Sequence, residues 1–185
     1  MIVLFRTLHR AEYWGIGFVV MTGSLLHFVW EWSGRWAGLA PIAAVNESVW
    51  EHLKLVFWPI VAWAAHELLL LPAGPPAFWP AKAVAAYAAP ALILVLHYGY
   101  RAVLGTHVVA LDLLIFVIAA AAAQLTGLWV MTSGTAALSW PGSAAAARWA
   151  FVAVTLQGFA FWLATYLPPR LPLFLDSVSG GYGIR

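Results

Sequence analysis

Five apolar stretches, each long enough to cross a lipid bilayer, restrict what this chain can fold into. A helix rises 1.5 Å per residue, so about 20 apolar residues cross about 30 Å of hydrocarbon. Hydrophobic residues make up 64% of the chain and charged residues only 9%, whereas soluble domains carry about 25% charged residues. The predicted spans are Trp14–Trp32, Val49–Leu71, Ala83–Leu104, Val108–Met131 and Ala146–Leu167. The sequence therefore predicts an all-α, polytopic membrane helix bundle with about five transmembrane helices.

The remaining composition excludes several classes of function. The chain has no cysteine, which excludes disulfides, thiolate nucleophiles and thiolate metal ligands. Its nine Lys and Arg residues are spread thinly, so it lacks the basic patch of a nucleic-acid-binding protein. We expect a single integral membrane domain over residues 1–185, surrounded by membrane lipid, as a homo-oligomer or as part of a larger membrane complex.

An odd number of spans places the two ends of the chain on opposite sides of the membrane. The loop after span one, the loop after span three and the C-terminal tail, residues 168–185, then share one side, which we call the tail face. The other side is called the N-terminal face. Its basic residues favour a cytoplasmic N-terminus by the positive-inside rule, and hence an extracytoplasmic tail face. These residues are Arg6, Arg10, Lys82 and Arg148.

Ionisable residues gather at the tail-face ends of the predicted spans. Such residues are costly inside a membrane and mark function by default. Four of them come from four different spans and share one depth: His27, His52, His97 and Asp112. Agreement in depth predicts a pocket to which several helices contribute.

The densest polar segment, Asn46–Lys54, precedes and begins span two. On a helix its two acids and Lys54 form one stripe, and Ser48 and His52 form an adjacent stripe. Both stripes can face one cavity. The alternative interpretation is structural, with helix capping and local pairing of Glu51 with Lys54. That alternative leaves His52 and the partners on other helices unexplained.

Two histidines are followed, four residues later, by a charged residue on the same helix face. His27 with Glu31 could supply two ligands to a metal, and His97 is followed by Arg101. Anchoring at the membrane interface is the alternative interpretation of both pairs. Asp112 stands in an apolar run and therefore needs a cation, a metal or a proton.

His66 and Glu67 occupy the other end of span two. They lie about 21 Å from His52 along a helix, too far away to join the same site. We interpret them as an interface pair on the N-terminal face. The alternative is a proton path that connects this pair with the ionisable residues at the tail face.

Two motifs together resemble a known family. They are the Asn-Glu-Ser-x-Trp-Glu-His-x-Lys run of residues 46–54, and a tail with Pro-Leu-Phe-x-Asp at 172–176 and Gly-Tyr-Gly-Ile at 181–184. Both are similar to small bacterial multi-pass membrane proteins known as a domain of unknown function. The resemblance covers nearly the whole chain and implies a bacterial inner membrane protein, without an activity.

A second resemblance concerns mechanism. Ser48 and His52, with an Asp on a later span, resemble part of the intramembrane zinc site of the alkaline ceramidase and adiponectin receptor superfamily. Those proteins have seven spans and a His-x-x-x-His pair on the last, whereas no histidine follows His107 here. The resemblance implies a zinc site in which Ser48 takes part and His27 or His97 replaces the absent ligands.

The patterns support a metal-dependent intramembrane hydrolase that acts on a lipid-like substrate. The metal, zinc or another divalent ion, would activate water. Its candidate ligands are His52, His27, Asp112 and His97. The candidate catalytic residues are Glu51, Glu47 and Ser48. Either of the two carboxylates could act as general base. The candidate substrate-binding residues are Lys54, Arg101, Asn46, Trp50 and Tyr98. The two cations among them, Lys54 and Arg101, could bind an anionic head group. The tail with Asp176 could close over the pocket as a lid.

Two other classes of function remain open. The same polar layer could bind a small solute or a proton in a transporter, as in vitamin-binding subunits of uptake systems, which usually have six spans. The chain could also be a non-catalytic subunit of a larger complex, with histidines that hold haem or a chlorophyll-type pigment.

Overall fold

A computed structural model describes residues 2–70, 75, 77–133 and 143–184. Within these residues the architecture is helical, with five long helices each long and apolar enough to cross a membrane. They are α1 (Ile2–Trp32), α2 (Val49–Leu70), α3 (Phe78–Leu104), α4 (Val109–Thr132) and α5 (Ala144–Tyr166). The predicted polytopic helix bundle is confirmed, and its spanning helices imply contact with lipid.

Two helices begin earlier than the predicted spans. α1 begins at Ile2 and α3 at Phe78. The predicted spans begin later because each was started after a charged residue that interrupts the apolar pattern. Those residues, Glu12 and Lys82, are buried within the helices and pair with each other. Because the two opposite charges compensate each other inside the bundle, both helices can continue through these positions. The other ends agree within two residues, except that Leu71 lies outside the described residues.

Small side chains let α3 and α4 pack closely along their length. Both helices bring small, almost completely buried residues to the core: Ala85, Ala86 and Ala89 on α3, and Ala119, Ala120 and Ala123 on α4. Without a hydrophobic force between helices in lipid, such close packing is what holds them together. The resulting helix pair fixes the relative positions of residues near its tail-face end.

Gly23 brings α1 against α2. A Cβ at this position would overlap the backbone carbonyl oxygen of Leu55, so only glycine permits the approach. One turn further toward the tail face, α1 carries His27 and α2 carries His52. The Gly23 contact therefore sets the separation of these two imidazoles.

The loop between α1 and α2, residues 33–48, folds back onto the bundle. It contains a 3-10 turn, Ala37–Leu39. The Lys54 ammonium donates to the Ala40 carbonyl at 2.8 Å, and Tyr166 donates to the Ala37 carbonyl at 2.8 Å. The loop is thus tied to α2 and to α5.

Candidate metal centre

Two imidazoles and a carboxylate meet at the tail face. The ring of His27 on α1 faces the ring of His52 on α2, with their Nε2 atoms 3.2 Å apart. Glu47, from the loop just before α2, places Oε2 at 3.4 Å from His52 Nε2 and at 3.7 Å from His27 Nε2. The three potential ligand atoms form a nearly equilateral triangle, so this group could hold a metal ion.

The size of the triangle suits tetrahedral coordination. Bonds of about 2.1 Å place neighbouring ligand atoms about 3.4 Å apart around a tetrahedral ion, and about 3.0 Å apart around an octahedral one. The three edges, 3.2, 3.4 and 3.7 Å, lie closer to the tetrahedral separation. Three side chains would also leave the fourth tetrahedral position open.

His52 is held in the tautomer that a metal requires. Its Nδ1 lies 2.8 Å from the backbone carbonyl oxygen of Ser48, and a carbonyl can only accept. Nδ1 therefore carries a proton, so that in the neutral ring the lone pair of Nε2 is directed toward His27 and Glu47. Hydrogen bonds of this kind orient metal-binding histidines in proteins.

Glu47 is a carboxylate in this arrangement. When their Nε2 atoms are protonated, His27 and, next in strength, His52 donate hydrogen bonds that hold the pKa of this carboxyl group well below the usual range, and partial burial only partly opposes this. An ionised carboxylate is the form that binds a metal.

The C-terminal tail holds the segment that carries Glu47. The backbone N–H of Glu47 donates to Asp176 Oδ1 at 3.3 Å, and the Ser177 hydroxyl donates to the Glu47 carbonyl at 3.2 Å. The Asn46 side chain donates to the Gly183 carbonyl at 2.9 Å. The tail therefore positions Glu47 through its backbone.

A cavity of about 900 Å³ opens beside the three ligand residues. Residues from α1 to α4 and from the tail line it, and most of the wall is apolar. Its polar lining includes all three candidate ligands together with His97, Arg101 and Asp112. Tyr98 also lines the cavity. The shared pocket predicted from four helices is thus present at this end of the bundle.

His97 and Asp112 form a separate pair on the wall made by α3 and α4. His97 Nδ1 lies 2.7 Å from Asp112 Oδ1, and the Tyr100 hydroxyl donates to the same oxygen at 2.8 Å. Arg101 Nη1 lies 3.4 Å from His97 Nε2. In the part of the chain that the structure describes, the group of mutually close ligand atoms contains neither His97 nor Asp112. Both residues were predicted as ligands, and the geometry favours a hydrogen-bonded pair instead.

Glu51 and Lys54 lie within the bundle and pair with each other. Lys54 Nζ is 2.5 Å from Glu51 Oε2, and the two side chains are 0% and 2% exposed. Lys54 also donates to the Thr165 hydroxyl of α5 at 2.9 Å. Neither residue lines the described cavity. Their predicted roles, as general base and as head-group ligand, stay predictions, while the contacts favour a structural role.

Ser48 and Trp50 also take part in structural contacts. The Ser48 hydroxyl accepts from the Glu51 N–H at 3.4 Å, which caps α2. The Trp50 ring lies 4.8 Å from each of the rings of Phe161 and Phe174, so it joins α2 to α5 and the tail. The catalytic role predicted for Ser48 and the substrate-binding role predicted for Trp50 stay predictions.

A second ionic cluster, near the N-terminal face, was missed from the sequence. Lys82 pairs with both Glu12 and Glu67. Glu67 is fully buried, whereas His66 is exposed. Their predicted position at the membrane interface stays a prediction, but the pairing of Glu67 with Lys82 favours a role inside the bundle. The available signal was a charged residue in each of three consecutive helices, in the half of the helix nearer the N-terminal face.

Comparison with known proteins gives a family without an assigned activity. Neither a curated protein nor a solved structure matches the chain significantly. The model of DUF6512, a family of unknown function, matches residues 4–184. Because the match covers almost all of the sequence, the chain belongs to this family of unknown function.

Proposed function

We propose that this protein is a zinc-dependent hydrolase that acts on a lipid-like substrate at the tail face of the membrane. The observation that carries the proposal is the triangle formed by His27, His52 and Glu47 on the wall of the large cavity. Two histidines, one glutamate and an open fourth position form a ligand set found in catalytic zinc sites. Zinc in such a site lowers the pKa of bound water to about 7.

His97 is the proposed general base. Asp112 accepts from Nδ1–H and thereby leaves Nε2 unprotonated. Nε2 lies 3.4 Å from Arg101 Nη1, and it can take a proton when Arg101 turns to a substrate head group. As the water oxygen bonds to the carbonyl carbon of an ester or amide, His97 Nε2 receives the water proton. It then gives a proton to the departing alcohol or amine as the C–O or C–N bond breaks. Water is the only co-reactant, and no oxidation or reduction takes place.

The cavity lining favours an amphiphile. Apolar side chains such as Phe28, Leu55 and Ile93 can accommodate an acyl chain, and Arg101 can bind an anionic head group. Its volume of about 900 Å³ lies within the usual range of small-molecule pockets. We place this tail-face site on the extracytoplasmic side of a bacterial inner membrane, as the positive-inside rule favours.

Metal analysis of the protein purified in lipid nanodiscs tests the site. We expect one zinc per chain, retained by the His66→Ala variant and lost from His52→Ala. Both substitutions truncate a histidine on α2, but His66 is exposed near the opposite end. A wild-type protein that contains no metal and gains none on zinc titration would overturn the proposal.

Assays against lipid esters and lipid amides test the reaction. We expect zinc-dependent release of fatty acid from one of these classes, abolished in His52→Ala and retained in His66→Ala. Zinc binding without hydrolysis of either class would overturn the enzymatic part and favour a ligand-binding or transport function for the same cavity.

A further inference from the structure

Glu12, Glu67 and Lys82 form a buried cluster to which α1, α2 and α3 each contribute one residue. Lys82 Nζ lies 2.5 Å from Glu12 Oε1 and pairs with Glu67 Oε2 as well. The two carboxylates are 0% exposed and the lysine side chain is 4% exposed. The cluster lies near the N-terminal face, and the proposed hydrolysis does not use it.

The charges of this cluster do not balance. With every group ionised, two carboxylates and one ammonium have a net charge of −1. Among the described residues, the ion pairs of Glu12 and Glu67 are those with Lys82. An uncompensated charge inside a membrane protein is expensive, and one bound proton would make the cluster neutral.

Unsatisfied oxygens show where that proton could bind. Glu12 Oε2 and Glu67 Oε1 are buried and have no hydrogen-bond partner in the described part of the chain. Two carboxylates that share one ammonium can only accept hydrogen bonds, whereas a carboxyl group next to a carboxylate can also donate one. A proton on either residue therefore satisfies an oxygen that is otherwise orphaned.

The residues around the cluster include polar groups, but none of them is a second cation paired with Glu12 or Glu67 in the described part of the chain. His66, the chain neighbour of Glu67, is exposed. From α4, Gln124 is 0% exposed and its two amide atoms are unpartnered in the described structure. Gly127, one turn away, leaves space beside Glu12, where a Cβ would lie 3.9 Å from Oε1. Three further titratable groups lie close by in the chain: His9 and Arg10 within one turn of Glu12 on α1, and His66 beside Glu67 on α2.

A cavity lies beside this region, near the N-terminal face. Its volume is about 410 Å³, and Ala11 and His66, the chain neighbours of Glu12 and Glu67, line it together with Arg10. Water in this cavity would give protons a route to the cluster from one side of the membrane.

We propose that Glu12, Glu67 and Lys82 form a proton-binding site, in which the two carboxyl groups share one proton and the Lys82 ammonium balances the remaining carboxylate. The site is separate from the tail-face metal centre. It gives the protein a neutral, titratable centre that exchanges protons at the N-terminal face.

Infrared spectroscopy of the full-length protein in lipid nanodiscs tests the proposal. At neutral pH we expect the C=O stretching band of a protonated carboxylic acid, which disappears when the pH is raised and shifts in D2O. A wild-type spectrum without this band would overturn the proposal, and that result does not depend on whether any variant folds.

Single variants assign the band. In Glu12→Gln or in Glu67→Gln, the remaining carboxylate and Lys82 form a neutral pair, so we expect the band to be lost from each. Glu31→Gln is the control, because Glu31 lies on the same helix but pairs with Arg35 at the exposed tail-face end of α1. A band that persists in both single cluster variants would contradict the assignment.

Discussion

Asp112 on α4 accepts a hydrogen bond from His97 on α3, with 2.7 Å between Oδ1 and Nδ1. The contact joins the tail-face ends of two tightly packed helices and sets the tautomer of the imidazole. Sequence patterns identified both residues but assigned both to the metal. Their pairing instead leaves His97 Nε2 unprotonated, and experiment can separate a role in acid–base catalysis from a role in metal binding.

Replacing Asp112 by Asn should reduce hydrolysis and leave the zinc content unchanged. The neutral amide no longer stabilises a protonated His97, so the rate should fall toward the roughly 10²–10⁴-fold loss typical of general acid–base catalysis. Tyr100→Phe, which removes one hydrogen bond to the same carboxylate, should have a smaller effect. Zinc content and initial rates measured on the same samples check this; loss of zinc from Asp112→Asn would make Asp112 a ligand.

Replacing Gly23 by Ala should weaken zinc binding although no ligand is changed. The added methyl group meets the Leu55 backbone, which forces α1 away from α2 and separates His27 from His52. Gly17→Ala is a matched control on the same helix, because a Cβ there meets no atom within 4 Å. Zinc titration of both variants checks the prediction, and equal affinities would show that helix separation does not limit the site.

Replacing Asp176 by Ala should also weaken zinc binding. Burial acts to raise the pKa of Asp176, but hydrogen bonds from Ser179, Val178 and Glu47 lower it overall, so an ionised group anchors the Glu47 backbone. Loss of groups that orient ligands costs roughly 10–100-fold in metal affinity. Val178→Ala, at an 80% exposed tail position, should bind zinc like the wild type. An unchanged affinity in Asp176→Ala would show that the tail does not position Glu47.

Replacing Lys54 by Met should destabilise the bundle. The change leaves Glu51 buried without its cation, and breaking a buried ion pair costs about 3–5 kcal/mol of unfolding free energy. Arg35→Met breaks an exposed pair with Glu31, worth at most about 1 kcal/mol. Unfolding in mixed detergent micelles compares the two variants. If Lys54 binds a head group instead, substrate affinity should fall while stability stays near that of the wild type.

The helices were predictable because apolar length alone decides whether a segment can cross a bilayer. The starts of α1 and α3 were not, because Glu12 and Lys82 interrupt the apolar pattern and only their three-dimensional pairing explains why the helices continue. Periodicity along one helix contains no information about a partner on another.

The depth of the candidate site in the membrane could be predicted from the sequence, but its complete set of ligand residues could not. His27 and His52 could be placed together because both lie near the tail-face ends of adjacent spans. The third member, Glu47, belongs to a loop whose path depends on contacts with Asp176 and Gly183, far away in sequence. Helical stripes likewise grouped Glu47 with Glu51, although Glu47 precedes the helix and its side chain follows no helical periodicity.

The contacts between the tail and the Glu47 segment impose an order on biosynthesis. His27, Glu47 and His52 are synthesised early, yet Asp176 and Gly183 follow α5, the fifth membrane span. Glu47 can therefore reach its final position only after the last span has been inserted and the tail has returned to the loop. During translation the two histidines would be together before the carboxylate is fixed, so loading of the proposed metal would follow the completion of membrane insertion.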